Sequence, residues 1–296
     1  MKELKLNLKP MINKLEVFTK RDSISELVGG YRSFFMGRGY DFEGYRKYSL
    51  NDDSRDIDWK ASLRSKDLMM RIMREERNLK VFFLLDVSDS MLFASVDKLK
   101  CEYAAEVIAS LCFAILRAGD SAGLVMFSDK IVKMLPSKSG IKHYYEIIKS
   151  LSNPKLYGGK FDFANVLKFL NSSLPRNSIV IAVSDFIGLH SGWVPHMEVS
   201  AQKFDFSLSL MIRDPLDNNF PKDTGQLAVE DPFHPGKMII DPDLIAGRYD
   251  AHSLKIKERI KKEFSKLRCD TVELVTNKSF EKPILKFFVE GRGKWR

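Results

Sequence analysis

Apolar positions along this chain fall into two patterns. Val81–Leu85 and Ile179–Val183 are short unbroken runs rich in β-branched and aromatic residues, which suits strands buried on both faces of a parallel sheet. Between and around them, apolar residues recur at helical spacing over 97–118, 141–151, 163–174, 193–202 and 244–267, and each stretch predicts an amphipathic helix. Segments 122–127 and 130–135 bracket Ser128-Asp129 as a tight hairpin. Strands are predicted at 206–212 and 271–276, short extended pieces at 226–229 and 237–240, and another strand at 68–73. The run 284–289 fits an edge strand or a terminal helical turn. Residues 1–30 read as partly helical, with Met11, Leu15, Val17 and Phe18 as core contacts and an end at Gly29-Gly30. Strands alternating with helices imply a doubly wound, mostly parallel α/β sheet, and the chain has no internal repeat.

Both short apolar runs end in polar residues. The first stops at Asp86, and Ser88 and Ser90 follow at alternate positions; the second stops at Ser184-Asp185. In open α/β sheets, ligands bind in the crevice beyond the carboxyl ends of the strands. An oxygen-only set of carboxylates and hydroxyls suits a hard cation such as Mg²⁺. A loop of Asp and Ser serves equally well to cap the helix that follows, so it is the pair of strands, each delivering an Asp, that points to a site.

Composition narrows the class. With 44% apolar and 29% charged residues the 296-residue chain is of ordinary globular balance. The net charge of +9 comes from Lys and Arg interleaved with acids, a solvated basic surface rather than a nucleic-acid footprint. The basic face of 255–268 carries Phe264 as its one interleaved aromatic, too few for a stacking platform. Cys101, Cys112 and Cys269 form no C-x-x-C and suit a reducing compartment. The first residues lack a signal-peptide core, and no apolar run approaches the ~20 residues of a membrane span; a cytoplasmic protein is expected. No phosphate-binding glycine loop is present. The five histidines stand beside no Ser-x-Gly elbow and show no H-E-x-x-H spacing, so a non-enzymatic role is expected.

Strand, D-x-S-x-S, helix and a later strand ending in Asp together resemble the von Willebrand factor A fold. More specifically, Gly37-Arg38-Gly39, Phe42, Arg46, Tyr48, Asp52, Arg55, Ile57-Asp58-Trp59 and Glu75-Glu76-Arg77, ahead of Asp86-Val87-Ser88-Asp89-Ser90-Met91, resemble the bacterial family called domain of unknown function 58, over roughly residues 30 to 240. Asp41 stands where that family usually has Glu, and Asn51 where it has Gly. The resemblance implies a family-specific segment, 1–79, packed on a von Willebrand A-like domain with a C-terminal extension, 80–296. It also implies a metal-ion-dependent adhesion site in which Asp86, Ser88, Ser90 and Asp185 hold Mg²⁺ for an acidic side chain of a partner. That motif expects a Thr after the glycine pair Gly158-Gly159. Here Lys160 and Phe161 follow, so Lys160 is expected to repel or replace the cation, with Asp162 compensating. Arg38, Arg46, Arg55, Asp58 and Trp59 are expected to brace residues 37–77 against the sheet, Trp59 as an apolar anchor.

The partner class implied by the resemblance is a MoxR-type AAA+ ATPase or another von Willebrand A-domain protein, with this chain as adaptor or assembly factor. The rival readings are a Mg²⁺-dependent phosphohydrolase with Asp86 as nucleophile, for which Lys160 and Asp185 would assist, and nucleic-acid binding through 255–268.

Overall fold

In a computed structural model that describes residues 22–34, 41–49, 57–74, 79–220, 225–230 and 236–290, the two apolar runs are neighbours at the centre of one sheet. They form β3 (Lys80–Asp86) and β6 (Ile179–Ser184). These strands pair in parallel, Val81 opposite Ile179 through Leu85 opposite Val183. With β4 (Ser121–Phe127), β5 (Ile131–Lys138), β7 (Phe206–Arg213) and β10 (Cys269–Val275) they build a six-stranded sheet in the order β10-β7-β6-β3-β4-β5. Only the edge pair β4–β5 is antiparallel among these, as the hairpin about Ser128-Asp129 predicts.

Side-chain alternation along the strands divides the core into two layers. Val81, Phe83 and Leu85 pack with α1 (Asp22–Phe34), α3 (Lys100–Arg117), α4 (Ile141–Leu151) and α9 (Glu281–Glu290). Phe82 and Leu84 pack on the other face with α5 (Phe163–Ser173), α6 (Val194–Lys203) and α8 (Pro242–Lys266). Because each central strand has an apolar layer on both sides, its sequence is apolar at every position rather than at every second one. Burying a Leu, Val or Phe side chain contributes about 1.5–3 kcal/mol. The chain is thus a doubly wound α/β protein with a mostly parallel sheet.

Two expectations need correction. The glycine pair does not end the first helix, which runs through it to Phe34. A Cβ on Gly30 would lie 3.3 Å from Leu285 Cδ2 and 3.5 Å from Phe288 Cβ, so the glycine lets α1 and α9 approach closely. Phe34 packs on Phe287 and Phe288 beside it, and the Tyr31 hydroxyl donates to Asp120 Oδ2 at 2.8 Å, in the turn between α3 and β4. That helix-to-helix packing also decides 284–289 in favour of helix. Met11, Leu15, Val17 and Phe18 lie outside the described residues.

The second correction concerns Trp59, the apolar anchor of the expected brace. β1 (Asp41–Lys47) pairs antiparallel with β2 (Met69–Arg74) around α2 (Trp59–Ser65). Asp58 caps α2: its Oδ1 accepts from the Lys60 and Ala61 amides at 3.0 and 3.1 Å, and its Oδ2 from the Tyr45 hydroxyl at 3.2 Å. Asp58 is buried, but Trp59, the first helical residue beyond the cap, is 63% exposed and is no buried anchor. Arg46 donates to the neighbouring Lys47 carbonyl at 3.3 Å and is itself exposed. Arg38 and Arg55 lie outside the described residues.

Candidate functional site

The chain leaves β3 toward β4 and β5 on one side, then returns past β3 to place β6, β7 and β10 on the other. The switch point therefore lies between the carboxyl ends of β3 and β6, where the topology opens a crevice. Asp86 ends β3 and Asp185 follows β6, so the sequence-predicted residues come together there.

Each is held by its own loop. Asp86 Oδ1 accepts from the Ser88 amide at 2.9 Å and Oδ2 from the Ser184 hydroxyl at 2.6 Å. The Ser88 and Ser90 hydroxyls are 3.2 Å apart, and Ser90 Oγ donates to Asp185 Oδ1 at 3.2 Å. The Ile187 amide donates to that same oxygen at 2.9 Å, an arrangement reached through Phe186 in the left-handed region at φ 53°. Asp86, Ser88 and Asp185 are 0% exposed and Ser90 is 1%. Burial, and then the neighbouring Asp185 charge, push the Asp86 carboxyl up to about 7, against hydrogen bonds from Ser184 and Ser88 that pull it down.

The cluster contains a cation of its own. Lys100, the first residue of α3, turns its ammonium inward to Asp185 Oδ2 at 2.6 Å and to Asp217 Oδ2 at 3.1 Å, with its side chain 1% exposed. Burial by itself would lower the pKa of this ammonium, but the Asp185 and Asp217 carboxylates outweigh it and hold the group charged. Asp217 lies in the short turn α7 (Pro215–Asn218) and accepts from the Asp214 amide at 2.9 Å. Asp214 in turn accepts from the Ser95 amide at 2.8 Å and from the Ser95 hydroxyl. The loops after β3 and β7 are thereby tied together over the carboxylates.

Lys160 and Asp162 take no part. Lys160 is exposed and makes no ion pair among the described residues. Asp162 is exposed and caps α5 by accepting from the Asn165 amide at 3.0 Å. The glycine pair has another use: Gly159 sits at φ +109°, where a Cβ would lie 3.0 Å from Ser128 Oγ, while its amide donates to Asp89 Oδ1 at 3.0 Å and its carbonyl accepts from the Asp89 amide at 2.9 Å.

This donor set does not fit a tightly held Mg²⁺ ion. The oxygens are of the right kind, but the Asp185 carboxylate already pairs with an ammonium. The loop that would add a third hydroxyl brings glycines and an outward lysine. A second cation about 4 Å from the Lys100 ammonium would meet repulsion of roughly 4 kcal/mol per unit charge in a partly screened interior.

Sequence reasoning missed Lys100, Asp214 and Asp217. Lys100 carried a signal, since a cation in the first turn of a helix opposes the macrodipole and calls for a compensating partner. The basic face of α8 is partly neutralised at home: Lys257 and Lys261 pair with Glu273 at 3.0 and 2.7 Å. No helix among the described residues is long and apolar enough to cross a membrane, and the three cysteines are buried and free.

Comparison with known proteins gives the family and a likeness of fold. The family model described as protein of unknown function DUF58 matches residues 44–259. The chain is 24% identical over 222 residues to the uncharacterized protein Rv1480 of Mycobacterium tuberculosis, covering 74% of this chain and 69% of that one. The fold is similar to that of the conserved hypothetical protein BatB from Bacteroides thetaiotaomicron, with TM-score 0.50 and 17% identity over 72% of this chain and 98% of that one. The SpRpn10 VWA domain is also similar, at TM-score 0.42 and 8% identity, over 71% of this chain and 95% of that domain.

Proposed function

The chain belongs to the DUF58 family, and from that premise we propose that it is a non-enzymatic protein-binding module that engages its partner at the carboxyl edge of the central sheet. The partner proposed is a MoxR-type AAA+ ATPase or another von Willebrand A-domain protein, with this chain as adaptor or assembly factor in the cytoplasm. One observation carries the reading: the loops at the switch point are fastened to each other by the Lys100–Asp185–Asp217 cluster, which holds a surface ready for a partner.

In this reading the adhesion site is degenerate, and the Lys100 ammonium stands where a cation would balance Asp185. The cluster shapes the edge, and the exposed residues around it make the contact. Phe93, 43% exposed at the start of the loop that leads to Lys100, offers an aromatic anchor of the kind that dominates interfaces. Hydrolysis by Asp86 is disfavoured by its complete burial and by the hydrogen bonds on both of its oxygens.

The test is a pull-down against a MoxR-type AAA+ ATPase with native protein, EDTA-treated protein, Phe93→Ala and Lys100→Met. Binding unchanged by EDTA, at least tenfold weaker in Phe93→Ala with its melting temperature retained, and lost in Lys100→Met is the expected result. Undiminished binding by both variants would move the contact to another face, and loss in EDTA would restore the metal.

A further inference from the structure

A second feature lies beside the cluster, which it meets at Asp217. A cleft of about 330 Å³ opens between the loop that follows Asp185, from Phe186 to His190, and the flank of α8 from Tyr249 to Ile260. Its floor includes Arg213, the last residue of β7.

Arg213 is 6% exposed, and its Nε is buried with no hydrogen-bond partner. Its guanidinium makes no hydrogen bond or ion pair with any described residue. The neighbouring acids are already engaged: Asp217 with Lys100 and the Asp214 amide, and Asp214 with Ser95. A guanidinium stays charged at every accessible pH, and a charge left unpaired in a protein interior is costly. The rest of the lining gives the cleft its character. Arg259 adds a second, exposed cation, and Ile187, Leu189, Ile256 and Ile260 supply apolar walls. Asp217 is its one acid.

We infer that this cleft is a binding site for the carboxylate of an acidic peptide segment with apolar neighbours, seated on Arg213 and supplied by a protein partner. A planar guanidinium matches a carboxylate in a fork of two parallel hydrogen bonds, and the apolar walls take the flanking side chains. The site goes beyond the partner-binding edge proposed above and needs neither the ATPase nor a metal.

The probe is a short synthetic peptide, acetyl-Leu-Glu-Leu-amide, with its Gln counterpart, sodium acetate and inorganic phosphate as companions. Each is titrated into the full chain while the arginine Nε–H signals are followed by NMR, and the melting temperature is read in parallel. The Glu peptide is expected to shift the Arg213 signal saturably and raise the melting temperature. The Gln peptide and the Arg213→Gln variant should each weaken binding at least tenfold, and the variant should melt no lower than the parent because it removes an unpaired buried charge. Arg259→Gln, on the exposed rim, should weaken binding by a smaller factor.

Equal binding to Arg213→Gln, equal binding of the Gln peptide, or no shift at all would overturn the assignment. Phosphate binding better than the peptide would replace the acidic segment with a phosphate group. A variant that melts well below the parent would show that Arg213 serves the fold instead. Failure of the ATPase pull-down alongside a positive peptide titration would sink the partner assignment and leave this site standing.

Discussion

The Lys100 ammonium lies 2.6 Å from Oδ2 of Asp185, and the two side chains are 1% and 0% exposed. A pair this deeply buried costs heavily to desolvate and stabilises only when both members are present. Its position is structural as much as electrostatic, since it joins the start of α3 to the end of β6 and, through Asp217, to the loop after β7.

Lys100→Met should therefore destabilise the protein by about 3–5 kcal/mol, because it leaves buried carboxylates without their cation. Urea unfolding measures it. Adding Asp185→Asn to that variant should recover part of the loss, whereas parent-like stability of the single variant would show that the pair carries no energetic weight.

Asp86 supplies a pH signature. Its folded carboxyl, at about 7, lies above the ordinary value of 3.8, so the folded state holds a proton that the unfolded chain releases. The stability linked to that proton is complete below 3.8 and is lost as pH rises through 7. The difference in stability between the native protein and Asp86→Asn should fall across that window, in paired urea titrations run with a chelator present. A difference that stays flat with pH would contradict the buried, proton-holding state of Asp86.

Lys160→Thr restores the hydroxyl that a metal-ion-dependent adhesion site would use, but it should not create Mg²⁺ binding. The cation that opposes the ion is Lys100, which stays in place. Calorimetric Mg²⁺ titration of the two proteins should give matching traces; tighter binding by the variant would return Lys160 to the site.

In the β1–α2–β2 unit the buried cap and the exposed aromatic should behave in opposite ways. Asp58→Ala should cost about 1–2 kcal/mol through loss of the α2 cap, while Trp59→Ala should change stability by no more than about 0.5 kcal/mol. Equal losses in urea would mean that Trp59 is packed after all.

Local pattern carried most of the architecture. Val81–Leu85 and Ile179–Val183 are apolar at every position because each strand meets a packed layer on both faces, and that requirement is written in consecutive residues. The D-x-S-x-S spacing and Ser184-Asp185 were legible for the same reason: each directly follows its strand, so placing the strands side by side brings the four groups together. Tertiary packing decided the rest. Gly30 reads locally as a helix stop, and only the approach of α9, some 250 residues later in the chain, makes it a contact point within α1. Lys160 was the nearest cation in the motif, whereas the cation that reaches Asp185 comes from the N-terminus of α3 and is held by Asp217 from beyond β7. That the Arg213 guanidinium has no partner among the described residues is likewise invisible along the chain, because sequence reports which charges exist, while burial and distance, set by the whole fold, decide which of them are paired.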